Sequence, residues 1–185
     1  IARIGARLKA PQRDEPLELL FSPVKRGAME MIVQKATELG ATRLSPVLTR
    51  RTNAENVRTD RLTAIAVEAA EQCGRLAPPI VSPPRRLADA LGAWRPERGL
   101  VFCDEAGDDD ELEWGGPRGR APYLLHAVAA SALPVDAALI GPEGGFDREE
   151  RADLRARPFV VPASLGPLIL RADTAAIVAL ALIGA

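Results

Sequence analysis

The segment Gly141-Pro142-Glu143-Gly144-Gly145 directly follows an apolar run, Val135 to Ile140, that predicts a buried strand. Glycines let the backbone approach a ligand closely and expose its N–H groups, and Pro142 stiffens the turn. The segment has neither the dinucleotide-binding spacing nor the lysine of a phosphate loop. A carboxylate at Glu143 favours a ligand with a positive charge or hydroxyl groups. The alternative is a purely structural turn between a strand and a helix.

A second segment, Ser164 to Arg171, places three aliphatic residues beside a Gly-Pro pair just before an apolar helical pattern. Aliphatic side chains next to free backbone groups suit the flat, largely apolar ring of an adenine. Arg171 has the chemistry to hold a phosphate or a carbonyl oxygen. Taken alone, the segment is better explained by core packing. The hypothesis of a ligand site therefore requires that residues 141–145 and 164–171 fold into one pocket.

The composition of the 185 residues excludes several other kinds of chemistry. Cys73 and Cys103 have no metal-ligand spacing and form no disulfide framework, which favours a reduced, cytoplasmic protein. His126 is the one histidine, so histidine-based metal clusters are excluded and no metal is expected. The apolar run 174–185 is too short to span a bilayer, and the N-terminus does not resemble a signal peptide.

The net charge of -1 conceals an asymmetry along the chain. Residues 1–61 hold more Lys and Arg than Asp and Glu, and residues 62–185 hold the reverse excess. A basic first third suits contact with a polyanion such as RNA, although ordinary solvated charges explain it equally well. The acidic, glycine-rich segment 104–122 predicts a long exposed loop.

Apolar runs alternate with helical patterns, which predicts an α/β fold with a mostly parallel sheet covered by helices on both faces. We expect Pro46 to place its strand at an edge or a break. Asp60 is expected to cap one helix and Asp147, with Glu150, another. The predicted strands are 16–21, 43–49, 79–82, 100–103, 135–140 and 159–161, and the predicted helices are 28–39, 60–73, 85–91, one from 147, and 172–185.

Four segments together resemble the RsmE family, the SPOUT-class methyltransferases that act on N3 of a uridine in 16S ribosomal RNA. They are LIGPEGGF (139–146), SLGPLILRADTAA (164–176), MEMIVQKATELG (29–40) and EAAEQCGR (68–75). The resemblance implies a C-terminal trefoil knot within the α/β fold and a homodimer that binds S-adenosylmethionine (SAM) in the knot. It also implies 16S ribosomal RNA or the small ribosomal subunit as partner.

The resemblance assigns roles to individual residues. It implies that Arg171, and after it Arg75, contacts the target base as a catalytic residue. The implied cofactor-binding residues are Gly141, Pro142, Glu143, Gly144, Gly145, Leu165, Gly166, Ile169, Leu170 and Thr174.

Departures from the family pattern bear on the RNA target more than on the cofactor. Leu168 stands where the family frequently has Arg, and Asp173 stands for the usual Glu and is expected to cap the last helix. Relatives carry an N-terminal PUA-like β-barrel that binds RNA. We therefore interpret residues 1–20 as a remnant or linker from such a barrel and residues 21–185 as the methyltransferase domain.

Two other functions remain open on the sequence. One is a SPOUT methyltransferase that acts on a ribose 2′-hydroxyl or another base. The other is a catalytically silent RNA-binding factor in ribosome assembly.

Overall fold

The structure, a computed structural model, describes Gly5 and residues 15–53, 57–104 and 121–184. Strands and helices alternate along these ranges, as the sequence predicts. They are β1 (Glu18–Phe21), α1 (Arg26–Glu38), β2 (Arg43–Leu48), α2 (Thr59–Cys73), β3 (Ile80–Val81), β4 (Arg85–Arg86), α3 (Leu87–Gly92), β5 (Gly99–Cys103), α4 (Leu124–Ala130), β6 (Val135–Ile140), α5 (Arg148–Ala156), β7 (Val160–Ala163) and α6 (Ala172–Ile183).

The strands form one sheet in the order β3-β2-β1-β6-β5-β7, and β4 also pairs with β2. Every strand pair is parallel, so the predicted parallel sheet is confirmed. β1 lies at the centre, where Leu19 pairs with Leu44 of β2 and with Ala138 of β6. The carboxyl ends of these strands therefore meet at one edge of the sheet, where parallel α/β proteins bind ligands.

Side chains of the strands alternate between two apolar cores. On β5, Val101 and Cys103 face the core that contains α1, α2, α4 and α6, whereas Leu100 and Phe102 face the core beneath α3 and α5. A strand buried on both faces needs a nearly continuous apolar sequence, which explains why β5 and the last four residues of β6 are recognisable from sequence. The predicted coverage of both faces is confirmed.

The prediction that Pro46 marks an edge or a break in the sheet is wrong, because β2 lies inside the sheet. On one side β2 pairs with β1 along its length, and Phe21 is the partner of Pro46. On the other side Arg43 and Leu44 pair with β3, whereas Val47 and Leu48 pair with β4. Pro46 lies at the gap between β3 and β4, where an absent N–H costs no ladder hydrogen bond.

Two helix starts also differ from the prediction. α2 has Arg58 rather than Asp60 at its N-cap, because the Asp60 carboxylate pairs with the Arg58 guanidinium at 2.6 Å. α6 has Arg171 at its N-cap, and Asp173 lies inside the first turn. The capping box of Asp147 and Glu150 at the start of α5 is confirmed.

Other details of the helices were only partly predicted. α3 begins at Leu87, after the two residues of β4, and α4 was not predicted at all. Cys73, the last residue of α2, is exposed. None of the helices in the described ranges is both long and apolar enough to cross a bilayer.

The predicted knot and domain boundary stay predictions. A knot is a property of the complete chain path, and residues 105–120, which include most of the predicted acidic loop, lie outside the described residues. The predicted boundary between residues 20 and 21 falls inside β1, so the central strand of the sheet begins before that boundary.

A buried ion cluster at the amino edge of the sheet was not predicted. Glu18 is 5% exposed, and its carboxylate accepts hydrogen bonds from Ser45 Oγ at 2.7 Å and Arg98 Nη1 at 2.6 Å. Arg98 also pairs with Asp136 and lies over the ring of Trp94, 4.8 Å from its centroid. Because the buried Glu18 charge depends on Arg98, this cluster stabilises the fold only while it is complete.

Arg98→Ala is expected to lower the free energy of unfolding by about 2 kcal/mol, because it leaves Glu18 buried without its cation. Urea denaturation measures this change. Arg157→Ala is the matched control, since Arg157 makes an exposed ion pair with Asp153 within α5 and its loop, worth about 0.5 kcal/mol. Equal destabilisation by the two variants would contradict a special role for the buried cluster.

Candidate functional site

A cleft of about 1660 Å³ opens at the carboxyl edge of the sheet, and we call it the carboxyl-edge cleft. It is bordered by the ends of β5 and β6, the loop after β6, the segment that leads into α6, and the first turns of α1 and α2. Residues 140–146 and residues 169–173 both line it. The structure therefore brings together the two glycine-containing segments that the sequence singled out.

Two of the three glycines in the 141–145 turn have structural reasons for being glycine. A Cβ on Gly141 would lie 2.5 Å from Cε2 of Phe146, whose ring packs edge-on against Phe102 in the core. Gly145 has φ 68°, which disfavours any side chain, and its N–H donates to the Pro142 carbonyl at 2.9 Å. Both glycines are explained without a ligand.

Gly144 has no such structural reason. Its φ is not positive, and a Cβ there would meet only the side chain of Arg51, at 3.8 Å or more. Gly144 and Glu143 are both exposed on the wall of the carboxyl-edge cleft. A glycine that the fold does not require, beside an exposed carboxylate in a cleft, favours the close approach of a ligand.

The turn is held from outside by residues that follow β2. Arg51 Nη1 donates to the carbonyl of Gly144 at 2.9 Å. The backbone N–H of Arg50 donates to Glu150 at 2.8 Å, and its guanidinium contacts Asp147 at 2.8 Å. Hydrogen bonds from the backbone of Glu149 and the charge of Arg50 hold the pKa of Asp147 below its ordinary value. No local sequence pattern indicates these contacts, because their partners lie about 100 residues apart.

The second segment exposes its aliphatic residues to solvent. Leu168 is 72% and Ile169 65% exposed, so core packing is wrong for these two residues. It is right for Leu170, which is half-buried against the core. Ser164 anchors the start of the segment: it is buried, and it exchanges backbone hydrogen bonds with Pro122 and Leu124. Exposed aliphatic side chains at the end of an anchored segment are unusual unless a ligand or another protein covers them.

Not all predicted site residues reach the cleft. Among the predicted cofactor residues, Leu165 and Gly166 are half-buried near the start of the second segment. Thr174 is exposed on α6, and its hydroxyl donates a hydrogen bond to the carboxylate of Asp173 at 3.3 Å. None of these three lines the cleft, so their cofactor roles stay predictions. The predicted residues that do line it are Gly141, Pro142, Glu143, Gly144, Gly145, Ile169, Leu170 and Arg171.

Arg75 does not line the carboxyl-edge cleft either. Its Nη1 donates to the carbonyls of Thr37 and Ala41, each at 2.8 Å, where α1 ends. The last carbonyls of a helix lack partners inside the helix, and an arginine that binds them stabilises the helix end. This geometry accounts for Arg75 as a structural residue and gives its predicted catalytic role no support.

The floor of the cleft contains a buried ion pair that sequence reasoning missed. Asp104, predicted to begin an exposed acidic loop, is instead 5% exposed at the end of β5. Arg151 Nε lies 2.8 Å from one carboxylate oxygen, and Arg155 Nε donates to the other at 2.8 Å. Both arginines lie on α5, so the pair fixes the helix that follows the glycine turn. Its only sequence signal was the position of Asp104 at a strand end.

Within the described ranges, no group of three or more His, Cys, Asp and Glu side chains is placed to hold a metal ion. The polar groups that line the cleft from the two segments are the carboxylates of Glu143 and Asp173 and the guanidinium of Arg171. Carboxylates beside exposed aliphatic side chains suit an organic cation that also carries an apolar ring.

Comparison with known proteins agrees with this geometry. The family model described as the RNA methyltransferase domain matches residues 11–184. Ribosomal RNA small subunit methyltransferase E of Rickettsia conorii is 31% identical over 179 residues, and the match covers 97% of this chain and 68% of that protein. The Synechocystis protein of the same name is 35% identical over 174 residues, covering 92% of this chain and 53% of its own length.

A solved structure also matches. Ribosomal RNA small subunit methyltransferase E of Neisseria gonorrhoeae, bound to SAM, superposes with a TM-score of 0.71 at 26% identity. That match covers 90% of this chain and 64% of the other. The chain thus spans about half to two thirds of the length of these relatives. It belongs to the RNA methyltransferase domain family, among the ribosomal RNA small subunit methyltransferase E proteins.

Proposed function

We propose that this chain is the catalytic domain of a SAM-dependent methyltransferase that methylates N3 of a uridine in 16S ribosomal RNA. The observation that carries the proposal is the meeting of residues 141–145 and 169–171 in one cleft at the carboxyl edge of a parallel sheet. The relatives named above are small-subunit ribosomal RNA methyltransferases, and the Neisseria protein binds SAM. Cytoplasmic location follows from the proposal, since ribosomal RNA is its substrate.

The residues present fit SAM. Gly144 leaves open space beside the turn, and the exposed Ile169 offers an apolar surface for an adenine ring. Glu143 and Asp173 place negative charge in the cleft, which favours a ligand that carries a sulfonium and an ammonium group. A typical small-molecule site has roughly 300–1,000 Å³. The cleft exceeds that range and therefore has room for a target base beside the cofactor.

When bound, SAM supplies an activated methyl group, whose bond to sulfur breaks as its bond to N3 forms, leaving S-adenosylhomocysteine. The protein's part is to align the target base and to help its N3 proton leave. Arg171, the N-cap residue of α6, is exposed and lines the cleft. A guanidinium that donates to O2 or O4 of the uracil stabilises the N3 anion and so lowers the N3 pKa. Glu143 and Asp173 are the candidate acceptors for the proton.

We also propose that the protein acts as a homodimer. Leu168, which does not line the cleft, exposes a large apolar side chain, and Tyr123 and Leu125 at the start of α4 are each 54% exposed. Tyr123 forms a backbone bridge with Ser164, which begins the segment that carries Leu168. A second copy of the chain would cover these exposed side chains.

Nucleoside mass spectrometry tests the reaction. Small ribosomal subunits that lack the modification are incubated with the protein and SAM, and 3-methyluridine is expected to appear in the digested 16S ribosomal RNA. A 2′-O-methylated nucleoside or another methylated base would favour a different RNA methyltransferase. A protein that binds RNA but gives no heat when SAM is titrated into it in a calorimeter would instead be a catalytically silent assembly factor.

A further inference from the structure

One wall of the carboxyl-edge cleft is basic. Lys25 and Arg26 at the start of α1, and Arg58 and Arg61 at the start of α2, all line the cleft and are all exposed. We call these four residues the basic wall. They come from segments about 30 residues apart, and the packing of α1 against α2 brings them together.

The carboxylates on this wall do not cancel its charge. Glu30 accepts hydrogen bonds from both Arg26, at 2.9 Å, and Arg61, at 2.6 Å. These hydrogen bonds, from Arg61 first, lower the pKa of Glu30 to about 2, so one ionised carboxylate holds two guanidinium groups in place. Asp60 pairs with Arg58, and the ion pairs of this wall among the described residues involve Arg26, Arg58 and Arg61 but not Lys25. Four cations therefore face two carboxylates.

The starts of α1 and α2 add to the positive potential. Lys25 and Arg58 are the N-cap residues, and neither helix start has a side-chain cap. N-caps are usually Ser, Thr, Asp or Asn, and a cation there opposes the helix dipole. α5, which follows the glycine turn, instead has the complete Asp147 capping box. At the start of α2 the Asp60 carboxylate accepts backbone hydrogen bonds, whereas the first turn of α1 has no acidic residue. The N–H groups at the start of α1, beside Lys25 and Arg26, therefore suit an external anion best.

The two walls of the cleft thus carry opposite charge. On the side formed by the glycine turn and α6, the carboxylates of Glu143 and Asp173 outnumber the one guanidinium of Arg171, and there the proposed cofactor is cationic. The basic wall lies on the side formed by α1 and α2. A cleft polarised in this way binds a cation and a polyanion next to each other, and each wall repels the wrong ligand.

We propose that the basic wall binds the phosphate backbone of the RNA strand that presents the target nucleotide to the cleft. This proposal rests on the function proposed above, and it adds where the RNA strand runs along the protein. Cations that neutralise phosphates position a strand without reading its sequence, so the wall sets the register of the strand and leaves base selection to the cleft.

The test is the double variant Lys25→Gln/Arg58→Gln, assayed with a single-stranded RNA oligonucleotide of the target region by fluorescence anisotropy. We expect the Kd for RNA to rise about tenfold at low salt. The salt dependence of log Kd should become shallower by about 1.4, since each phosphate contact on a single strand contributes about 0.7. The affinity for SAM, measured by calorimetry, should change by less than about twofold because neither side chain belongs to the SAM-binding segments.

Arg43→Gln/Arg95→Gln is the matched control. It removes the same charge from exposed arginines that border a second cleft at the opposite, amino edge of the sheet. If both double variants weaken RNA binding equally, the effect comes from the lower net charge of the protein and not from the basic wall, and the proposal is overturned. Unchanged RNA affinity in Lys25→Gln/Arg58→Gln would also overturn it while leaving the methyltransferase function intact. If the unaltered chain does not bind SAM, the proposed methyltransferase function itself is contradicted.

Discussion

Gly144→Val abolishes SAM binding while leaving the fold intact, if residues 141–145 form the cofactor site. The exposed Gly144 faces the carboxyl-edge cleft, and a side chain there would occupy the space beside the turn. Its φ is not positive and a Cβ would meet nothing closer than Arg51 at 3.8 Å, so valine adds little strain. The Kd for SAM, measured by calorimetry, is expected to rise at least ~1,000-fold, or about 4 kcal/mol.

Gly92→Val provides the matched control for this result. Gly92 is also exposed, a Cβ there meets nothing within 4 Å, and it lies at the end of α3, outside the cleft lining. Both variants should unfold near the urea midpoint of the unaltered chain, and only Gly144→Val should lose SAM. If the folded Gly144→Val protein keeps its affinity for SAM, residues 141–145 do not form the cofactor site.

Features that depend on a few neighbouring residues could be predicted from the sequence. The capping box needs only Asp147, Glu150 and the backbone between them, and the structure contains it as predicted. β6 has the predicted bounds because its last four residues, Ala137 to Ile140, form a buried apolar run that ends at the glycine turn. The left-handed residue Gly74 ends α2, as expected for a glycine after a helix.

Features that depend on distant partners could not be predicted. Pro46 fits inside the sheet because β2 changes partners from β3 to β4 at that residue, and no local pattern reveals such a change. Asp60 does not cap α2 because Arg58, two residues earlier, takes its carboxylate. Asp104 is buried because α5 supplies two arginines about 50 residues later in the chain.

The candidate site shows the same division. The turn at 141–145 and the segment that ends at Arg171 were chosen from residue types, and the sheet topology brings them to one cleft. Arg75 was chosen by resemblance alone, and its side chain binds the end of α1. The excess of Lys and Arg in residues 1–61 was noticed, but the basic wall itself could not be placed until the packing of α1 against α2 brings its four residues together.

Arg171→Ala is expected to lower kcat by about 100- to 1,000-fold, the usual cost of removing one donor that stabilises developing negative charge. The affinity for SAM should stay within about threefold, since the proposed partner of Arg171 is the uracil oxygen and not the cofactor. Arg171 is exposed, and its side chain does not cap α6, so its loss should not disturb the fold. Single-turnover methylation of small ribosomal subunits at saturating SAM measures the change.

Two further variants separate catalysis from simple loss of charge. Arg171→Lys keeps the charge but loses the planar donor pair, so it should recover only part of the rate. Arg148→Ala removes an exposed arginine from the first turn of α5, outside the cleft lining, and should keep nearly the full rate. If Arg171 lowers the N3 pKa, raising the pH should partly restore the rate of Arg171→Ala, because hydroxide then supplies the N3 anion. A pH profile parallel to that of the unaltered chain would show that Arg171 only helps to bind RNA.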